Sequence, residues 1–123
     1  MQNVNIRQER AADRLAVHAL VEEAFRGESF SDQREHLLVD RLRNTSGFVP
    51  ELSLVAEWKG RVVGYILLTK IFIETSQGNY PSLALAPIAV GADLRGRGIG
   101  GLLIREAHRR AYEVGFGSIV VLG

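Results

Sequence analysis

A strongly apolar segment, residues 82–90, leads through a short turn into a stretch of glycine and arginine that opens an amphipathic helix. Four glycines fall within six positions of that stretch, at Gly96, Gly98, Gly100 and Gly101. Each one weakens a helix start by about 0.5–1 kcal/mol relative to alanine, so a compensating role is expected. A helix N-terminus offers unpaired N–H groups and the positive end of its dipole, and Arg95 and Arg97 add fixed charge. The turn is therefore predicted to hold a phosphate group.

Two other interpretations of this turn remain open. The first is an ordinary helix N-terminus with flexible glycines and solvated arginines. The second is a dinucleotide site, because residues 96–101 formally match G-x-G-x-x-G. A dinucleotide turn follows its strand directly and is accompanied by an acidic residue about 20 positions later. Here residues 91–95 intervene and residues 118–122 contain no acid, so the context disfavours the second interpretation.

Composition narrows the class of protein further. The chain has 123 residues, 46% hydrophobic and 24% charged, as expected for one globular domain with a modest core. Its 15 basic and 14 acidic side chains leave a formal charge of +1, which does not predict a nucleic-acid partner. The absence of cysteine excludes a thiol nucleophile and a thiolate metal site. No segment resembles a signal peptide or a membrane span, so a cytoplasmic protein is expected.

Apolar periodicity predicts eight elements in the order β-α-α-β-β-β-α-β. Strands are predicted at 4–7, 52–58, 61–73, 82–90 and 118–122, and helices at 10–25, 32–43 and 98–114. Residues 75–79 are predicted to be a polar loop. On the second helix, Leu37, Leu38 and Leu42 are predicted to face the core. The order indicates the α/β class, in the form of an α+β mixed sheet with helices packed on it, and a single domain over residues 1–123.

Pro87 lies inside the apolar strand 82–90, where it cannot donate a hydrogen bond to a neighbouring strand. One explanation is a β-bulge or a parting of the strands, which would leave backbone groups of Ile88, Ala89 and Val90 free for an extended ligand. The other is that this segment is an edge strand. The sequence favours neither.

The turn and its surroundings resemble the GNAT superfamily of acyl-CoA N-acyltransferases. Residues 95–100 fit the family pattern Arg/Gln-x-x-Gly-x-Gly/Ala, and the apolar strand, the five-residue spacer and the element order are also similar. Within the family, the amino-acid sequence of residues 83–90 is similar to that of the bacterial YhbS-like branch. The resemblance covers essentially the whole chain and implies an enzyme that uses acetyl-CoA as cosubstrate.

The resemblance also implies which residues would bind the cofactor. The backbone of the strand end would pair with the pantetheine arm, and the glycine turn with its two arginines would hold the pyrophosphate. The residues that match these positions are Ile88, Ala89, Val90, Arg95, Gly96, Arg97, Gly98, Ile99, Gly100 and Gly101. The expected reaction is transfer of an acetyl group to a primary amine, on a small molecule or a peptide, by direct attack and without a metal. A CoA-binding or interaction module without catalysis is the alternative.

Family members normally continue with another helix and two strands, so the resemblance predicts a domain that is incomplete at its C-terminus. The last strand, 118–122, would then be an open sheet edge that can pair with a second copy of the chain, so a homodimer is an expectation. Acyl transfer also needs a base, and the central strand contains no carboxylate. Glu74, at the end of the preceding strand, is the candidate base and would act through a water, and Glu22 and Glu23 are candidates for the acceptor entrance. The alternative for each, which the sequence favours, is a solvated surface carboxylate.

Overall fold

The computed structural model describes residues 3–121 and contains three α-helices and five strands. The strands are β1 (Asn5–Gln8), β2 (Phe48–Trp58), β3 (Arg61–Thr75), β4 (Gly78–Val90) and β5 (Ile119–Val121). The helices are α1 (Arg14–Phe25), α2 (Glu35–Leu42) and α3 (Ile99–Glu113), and short 3-10 turns precede α1 at Ala11–Asp13 and α3 at Ala92–Leu94. The predicted order of elements is confirmed.

The hairpin between β3 and β4 is longer than predicted. The proposed polar loop 75–79 is mostly strand, because Thr75 pairs with Gly78 and the turn contains only residues 76–77. The Thr75 hydroxyl donates to the Gly78 carbonyl at 2.9 Å and accepts the Gln77 N–H at 3.1 Å. These side-chain bonds satisfy the turn backbone, which explains how polar residues continue the strands.

The five strands form one sheet in the order β1-β2-β3-β4-β5. Neighbouring strands are antiparallel except β4 and β5, which run parallel and pair over Leu83–Leu85 and Ile119–Val121. Between β3 and β4 the register shifts: Ile66 pairs with Ile88, but Leu68 pairs with Leu85. One residue of β3 therefore faces Ala86 and Pro87 of β4. Of the two explanations for Pro87, the structure shows the β-bulge, and β4 is an internal strand.

Two apolar cores lie on opposite faces of this sheet, since side chains alternate along each strand. Helix α3 packs on one face, where Ile99 and Leu103 belong to the same buried cluster as Ile66 and Leu68. Helices α1 and α2 pack on the other face, where their buried residues join the sheet residues Tyr65 and Ala89. The end of β4 is therefore held between α1 on one side and α3 on the other.

The buried face of α2 agrees with the prediction at Leu42, which packs against the core, but not at Leu37. Leu37 is 40% exposed, whereas His36 and Val39 are buried and face α1. The His36 ring packs edge-on against His18 of α1, with centroids 4.7 Å apart. Three consecutive apolar residues at 37–39 allow more than one helical phase, and packing against α1 selects the phase that buries Val39.

Candidate functional site

The turn after β4 has a backbone that only glycine adopts without strain at two positions. Gly96 and Gly98 have φ angles of +79° and +84°, and Gly98 is the N-cap of α3. A β-carbon at either position would meet no atom within 4 Å. Glycine is therefore required here by conformation and not by crowding, and the surface over the turn is open.

Buried apolar residues anchor the turn on both sides. Leu94 and Ile99 are 5% and 1% exposed and belong to the core under α3. Between them the chain is exposed from Arg95 to Gly98. The N–H groups of the first helical turn lack acceptors within the helix and carry the positive end of its dipole. The arrangement can hold an anion at the surface.

Gly100 brings the start of α3 next to the end of β4. A β-carbon there would stand 3.8 Å from Val90 Cγ2 and 4.0 Å from Ile88 Cδ1. The predicted strand residues and the predicted glycine turn therefore lie together in space. The β4–β5 ladder covers only Leu83, Ala84 and Leu85 within the described residues, so it does not include Ile88 or Val90.

The two arginines of the turn have different surroundings. Arg95 Nη2 donates to the Ala24 carbonyl of α1 at 2.8 Å, and its Nη1 lies 3.8 Å from Glu28 Oε1. Arg97 is exposed, and among residues 3–121 no side chain forms an ion pair with it. Arg97 therefore adds charge to the open surface, whereas the Arg95 guanidinium is directed to α1.

A cleft of about 450 Å³ lies between the C-terminal end of α1 and the end of β4. Its lining is mostly apolar, and its two charged side chains are Glu28 and Arg95. The other lining residues are Ala24, Phe25, Phe30, Ile88, Ala89 and Val90. The rings of Phe25 and Phe30 meet edge-on with centroids 6.5 Å apart, and Phe30 is 78% exposed. A mostly apolar cleft with a few polar groups is typical of small-molecule sites.

The structure does not bring Glu74 to this cleft. Glu74 pairs with Asn79 near the hairpin turn, eight residues along β3 from the Ile66–Ile88 pair. At about 3.3 Å per residue, the separation is roughly 26 Å, too far for a water-mediated contact. The expectation that Glu74 serves as the base is therefore corrected.

The other carboxylates named from the sequence also lie apart from the cleft lining. Glu22 contacts His36 Nε2 at 3.4 Å and Arg26 at 3.7 Å. Glu23 lines a smaller depression that contains Arg61 and Asp93. Glu28, which sequence reasoning missed, is the carboxylate among the cleft residues. Its signal in the sequence is the segment 27–31, where an isolated Phe30 stands among glycine, serine and glutamate.

A buried polar network lies at the C-terminal end of α2, and none of its residues is among those that line the cleft. Arg43 forms an ion pair with Glu9, and their side chains are 6% and 4% exposed. The Ser53 hydroxyl links Glu9 at 3.1 Å to the Tyr65 hydroxyl at 2.7 Å. Burial raises the pKa of Tyr65 above its ordinary value, so this phenol stays protonated. The network connects α2 to the sheet.

Two properties of the described residues bear on other classes of function. Between residues 3 and 121, no three His, Asp or Glu side chains lie close enough to bind a metal ion together. Over the same residues, no helix is long and apolar enough to cross a membrane.

Comparison with known proteins gives a consistent result. The sequence profile of the acetyltransferase (GNAT) family matches residues 14–123. The uncharacterized N-acetyltransferase YjhQ of Escherichia coli K12 is 34% identical over 95 residues, which cover 77% of this chain and 52% of YjhQ. The uncharacterized N-acetyltransferase YhbS of the same strain is 32% identical over 96 residues, which cover 77% of this chain and 55% of YhbS. The chain thus spans about half the length of the curated relatives it matches.

Solved structures share the fold closely. A GNAT family acetyltransferase from Brucella melitensis, in complex with acetyl-CoA, superposes with a TM-score of 0.89 at 34% identity, covering 100% of this chain and 77% of that one. Escherichia coli YhbS in complex with CoA gives a TM-score of 0.80 at 27% identity, covering 98% of this chain and 62% of that one. The family profile, the relatives and the fold agree, and this chain belongs to the GNAT acetyltransferase family.

Proposed function

We propose that this protein binds acetyl-CoA, or a related acyl-CoA, and transfers the acyl group to a primary amine. The pyrophosphate would lie on the backbone of residues 96–101 at the N-terminus of α3, next to Arg97 and flanked by Arg95. The pantetheine arm would follow the backbone of Ile88, Ala89 and Val90.

The observation that carries this proposal is the juxtaposition of the open glycine turn and the end of β4. Gly96 and Gly98 are exposed residues at the positive end of a helix, where backbone N–H groups lack partners within the helix. Gly100 stands against Ile88 and Val90, so one extended ligand could contact the turn and the strand together. The structural neighbours from Brucella melitensis and Escherichia coli, which hold acetyl-CoA and CoA, support the choice of ligand.

The reaction proposed is direct transfer. The ammonium first loses one proton; the neutral nitrogen then attacks the thioester carbonyl carbon, forming a C–N bond as the C–S bond breaks. The nitrogen gives up a second proton, and the thiolate takes one up to leave as CoA. Glu28 is the carboxylate in the cleft lining, and we propose it as the acceptor of the first proton in place of Glu74.

The acceptor proposed is a small-molecule or peptide amine, and the proposed location is the cytoplasm. A homodimer remains a prediction. It is motivated by β5, which forms one edge of the described sheet with three paired residues. Sedimentation over a range of protein concentrations would test it.

Calorimetric titration of the protein with acetyl-CoA, with NADH as the control ligand, tests the proposal first. We expect acetyl-CoA to bind and NADH not to bind. Gly98→Glu should weaken acetyl-CoA binding at least about tenfold, because it strains the backbone at φ +84° and adds a negative charge beside the pyrophosphate.

Gly115→Glu is the matched control for this substitution. Gly115 also has a positive φ, +97°, and also has no atom within 4 Å of a β-carbon, but it follows the other end of α3. The Gly115→Glu variant should bind acetyl-CoA with the same affinity as the unsubstituted protein. If the Gly98→Glu variant also bound acetyl-CoA with that affinity, the proposed site would be wrong. Release of free thiol with a mixed panel of primary amines would then separate an acyltransferase from a CoA-binding module.

A further inference from the structure

Arg95 joins two parts of the chain that are 71 residues apart. Its Nη2 atom donates to the Ala24 carbonyl at 2.8 Å, and its Nη1 atom lies 3.8 Å from the Glu28 carboxylate. Ala24 is in the last turn of α1, and Glu28 is in the segment that follows it. Arg95 itself comes from the turn after β4.

The Ala24 carbonyl is a strong acceptor because of its place in the helix. The last four carbonyls of a helix lack partners within it and carry the negative end of the dipole. The Glu23 carbonyl accepts the Arg26 N–H at 3.3 Å, and the Phe25 carbonyl accepts the Glu28 N–H at 3.2 Å. The Ala24 carbonyl accepts from Arg95 instead, which places a positive charge at the helix C-terminus.

This contact directs the guanidinium away from the start of α3. Ala24 belongs to the core on the α1 face of the sheet, whereas Ile99, the first residue of α3, belongs to the core on the opposite face. The cleft lies between the end of α1 and the end of β4, and Arg95 is among its lining residues. The side chain therefore connects one wall of the cleft to the loop that follows the other wall.

We infer that Arg95 is a positioning residue that fixes the wall formed by the end of α1 relative to the glycine turn. Through the Ala24 carbonyl and Glu28, it couples occupancy of the turn to the segment that carries Phe25, Glu28 and Phe30. This role rests on the proposed function for its ligand, but the contact itself does not depend on it. Arg97, two residues later, supplies charge to the turn without this connection.

Two measurements together test the inference. The first is amide hydrogen exchange of residues 21–31 with and without CoA, and the second is the CoA affinity of each variant by calorimetry. Arg95→Gln should raise exchange in this segment about threefold to tenfold, since a charge-assisted bond at a half-exposed site is lost. CoA should protect residues 21–31 in the unsubstituted protein but not in Arg95→Gln, whereas residues 95–101 should be protected in both. Arg95→Lys, which keeps a cationic donor, should restore part of the protection.

Arg97→Gln is the matched control, because it removes the same charge from the same turn. It should weaken CoA binding several-fold and leave exchange at residues 21–31 unchanged without ligand. The inference is overturned if Arg95→Gln weakens CoA binding as much as Arg97→Gln while exchange at 21–31 stays unchanged. If CoA does not bind the unsubstituted protein, the proposed function fails. In that case, hydrogen exchange at residues 21–31 in Arg95→Gln and Arg97→Gln without ligand still decides whether the Arg95 contact with the Ala24 carbonyl holds the end of α1.

Discussion

Gly98 and Gly100 stand two residues apart, one at the N-cap and one in the first turn of α3, but different physical demands act on them. Gly98 needs glycine for its φ of +84°, and space around it is open. Gly100 is inside α3, where its backbone suits any residue, and a β-carbon would stand 3.8 Å from Val90. At Gly98 the demand is conformational, whereas at Gly100 the missing side chain leaves space between the start of α3 and the end of β4, which we propose that the cofactor uses.

Gly100→Ala should therefore change stability and affinity in opposite directions. Alanine restricts the unfolded chain and favours the helix, so the free energy of unfolding should rise by about 0.4–1 kcal/mol. The added methyl group narrows the gap toward Ile88 and Val90, so acetyl-CoA affinity should fall about tenfold. Urea denaturation and calorimetry measure the two effects.

Gly117→Ala is the control for that prediction. Gly117 lies in the loop between α3 and β5, has no positive φ, and has no atom within 4 Å of a β-carbon. It should show a similar gain in stability with unchanged affinity. If Gly100→Ala bound acetyl-CoA as tightly as Gly117→Ala, the gap beside Gly100 would not be part of the cofactor site.

At the scale of elements, α2 is held to the sheet by a buried ion pair as well as by apolar contacts. Arg43, just after α2, pairs with Glu9, just after β1, and both side chains are nearly excluded from water. Ser53 and Tyr65 extend the same network into β2 and β3. Removing one charge leaves the other buried without its partner, which costs more than the pair contributes.

Arg43→Ala should lower the free energy of unfolding by about 3 kcal/mol or more, because Glu9 would be left buried and uncompensated. Arg61→Ala removes a comparable arginine–aspartate pair whose side chains are 57% and 66% exposed, and should cost less than about 1 kcal/mol. Urea denaturation of both variants checks the contrast. Equal losses would show that burial of the Glu9–Arg43 pair has no energetic consequence.

At the scale of the whole molecule, acid should destabilise the fold through carboxylates that the native state keeps ionised. Hydrogen bonds from Arg109 and Arg110 lower the pKa of Glu106 from 4.5 to about 2. Hydrogen bonds from Arg7 likewise lower the pKa of Asp13. A carboxyl group whose folded pKa is depressed stabilises the fold above its unfolded pKa, and that contribution disappears as the pH falls through the folded pKa.

Glu106→Gln should thus matter at neutral pH and progressively less in acid. Near pH 7 it should cost about 0.5–1 kcal/mol, since the pair lies on the surface of α3 and is screened by water. The difference from the unsubstituted protein should shrink as the pH falls from about 4.5 to about 2. Denaturant titrations at a series of pH values measure this difference. If the difference in unfolding free energy stayed constant between about pH 4.5 and pH 2, Glu106 would not have a lowered pKa in the folded protein.

Much of the fold could be predicted because its signals are local. The order of elements and the glycine-rich start of α3 each depend on residues close together in sequence, whereas at Pro87 the sequence allowed both a bulge and an edge strand. The predictions were wrong where the local sequence fits more than one local structure equally well. Polar residues 75–79 fit a loop as well as strand ends, and residues 37–39 fit two helical phases.

Side-chain partners required the tertiary structure. Glu74 and Glu28 look alike in sequence, yet strand register puts Glu74 near the hairpin turn, and the end of α1 puts Glu28 beside β4. Arg95 belongs to a turn whose sequence predicts an anion site, but only the packing of α1 across the sheet gives it the Ala24 carbonyl. Sequence alone predicted the family, the apolar strand and the glycine turn at the start of α3, because these signals lie in residues that are neighbours along the chain. The tertiary structure decided which charges face the cleft, because those distances depend on how separate elements pair and pack.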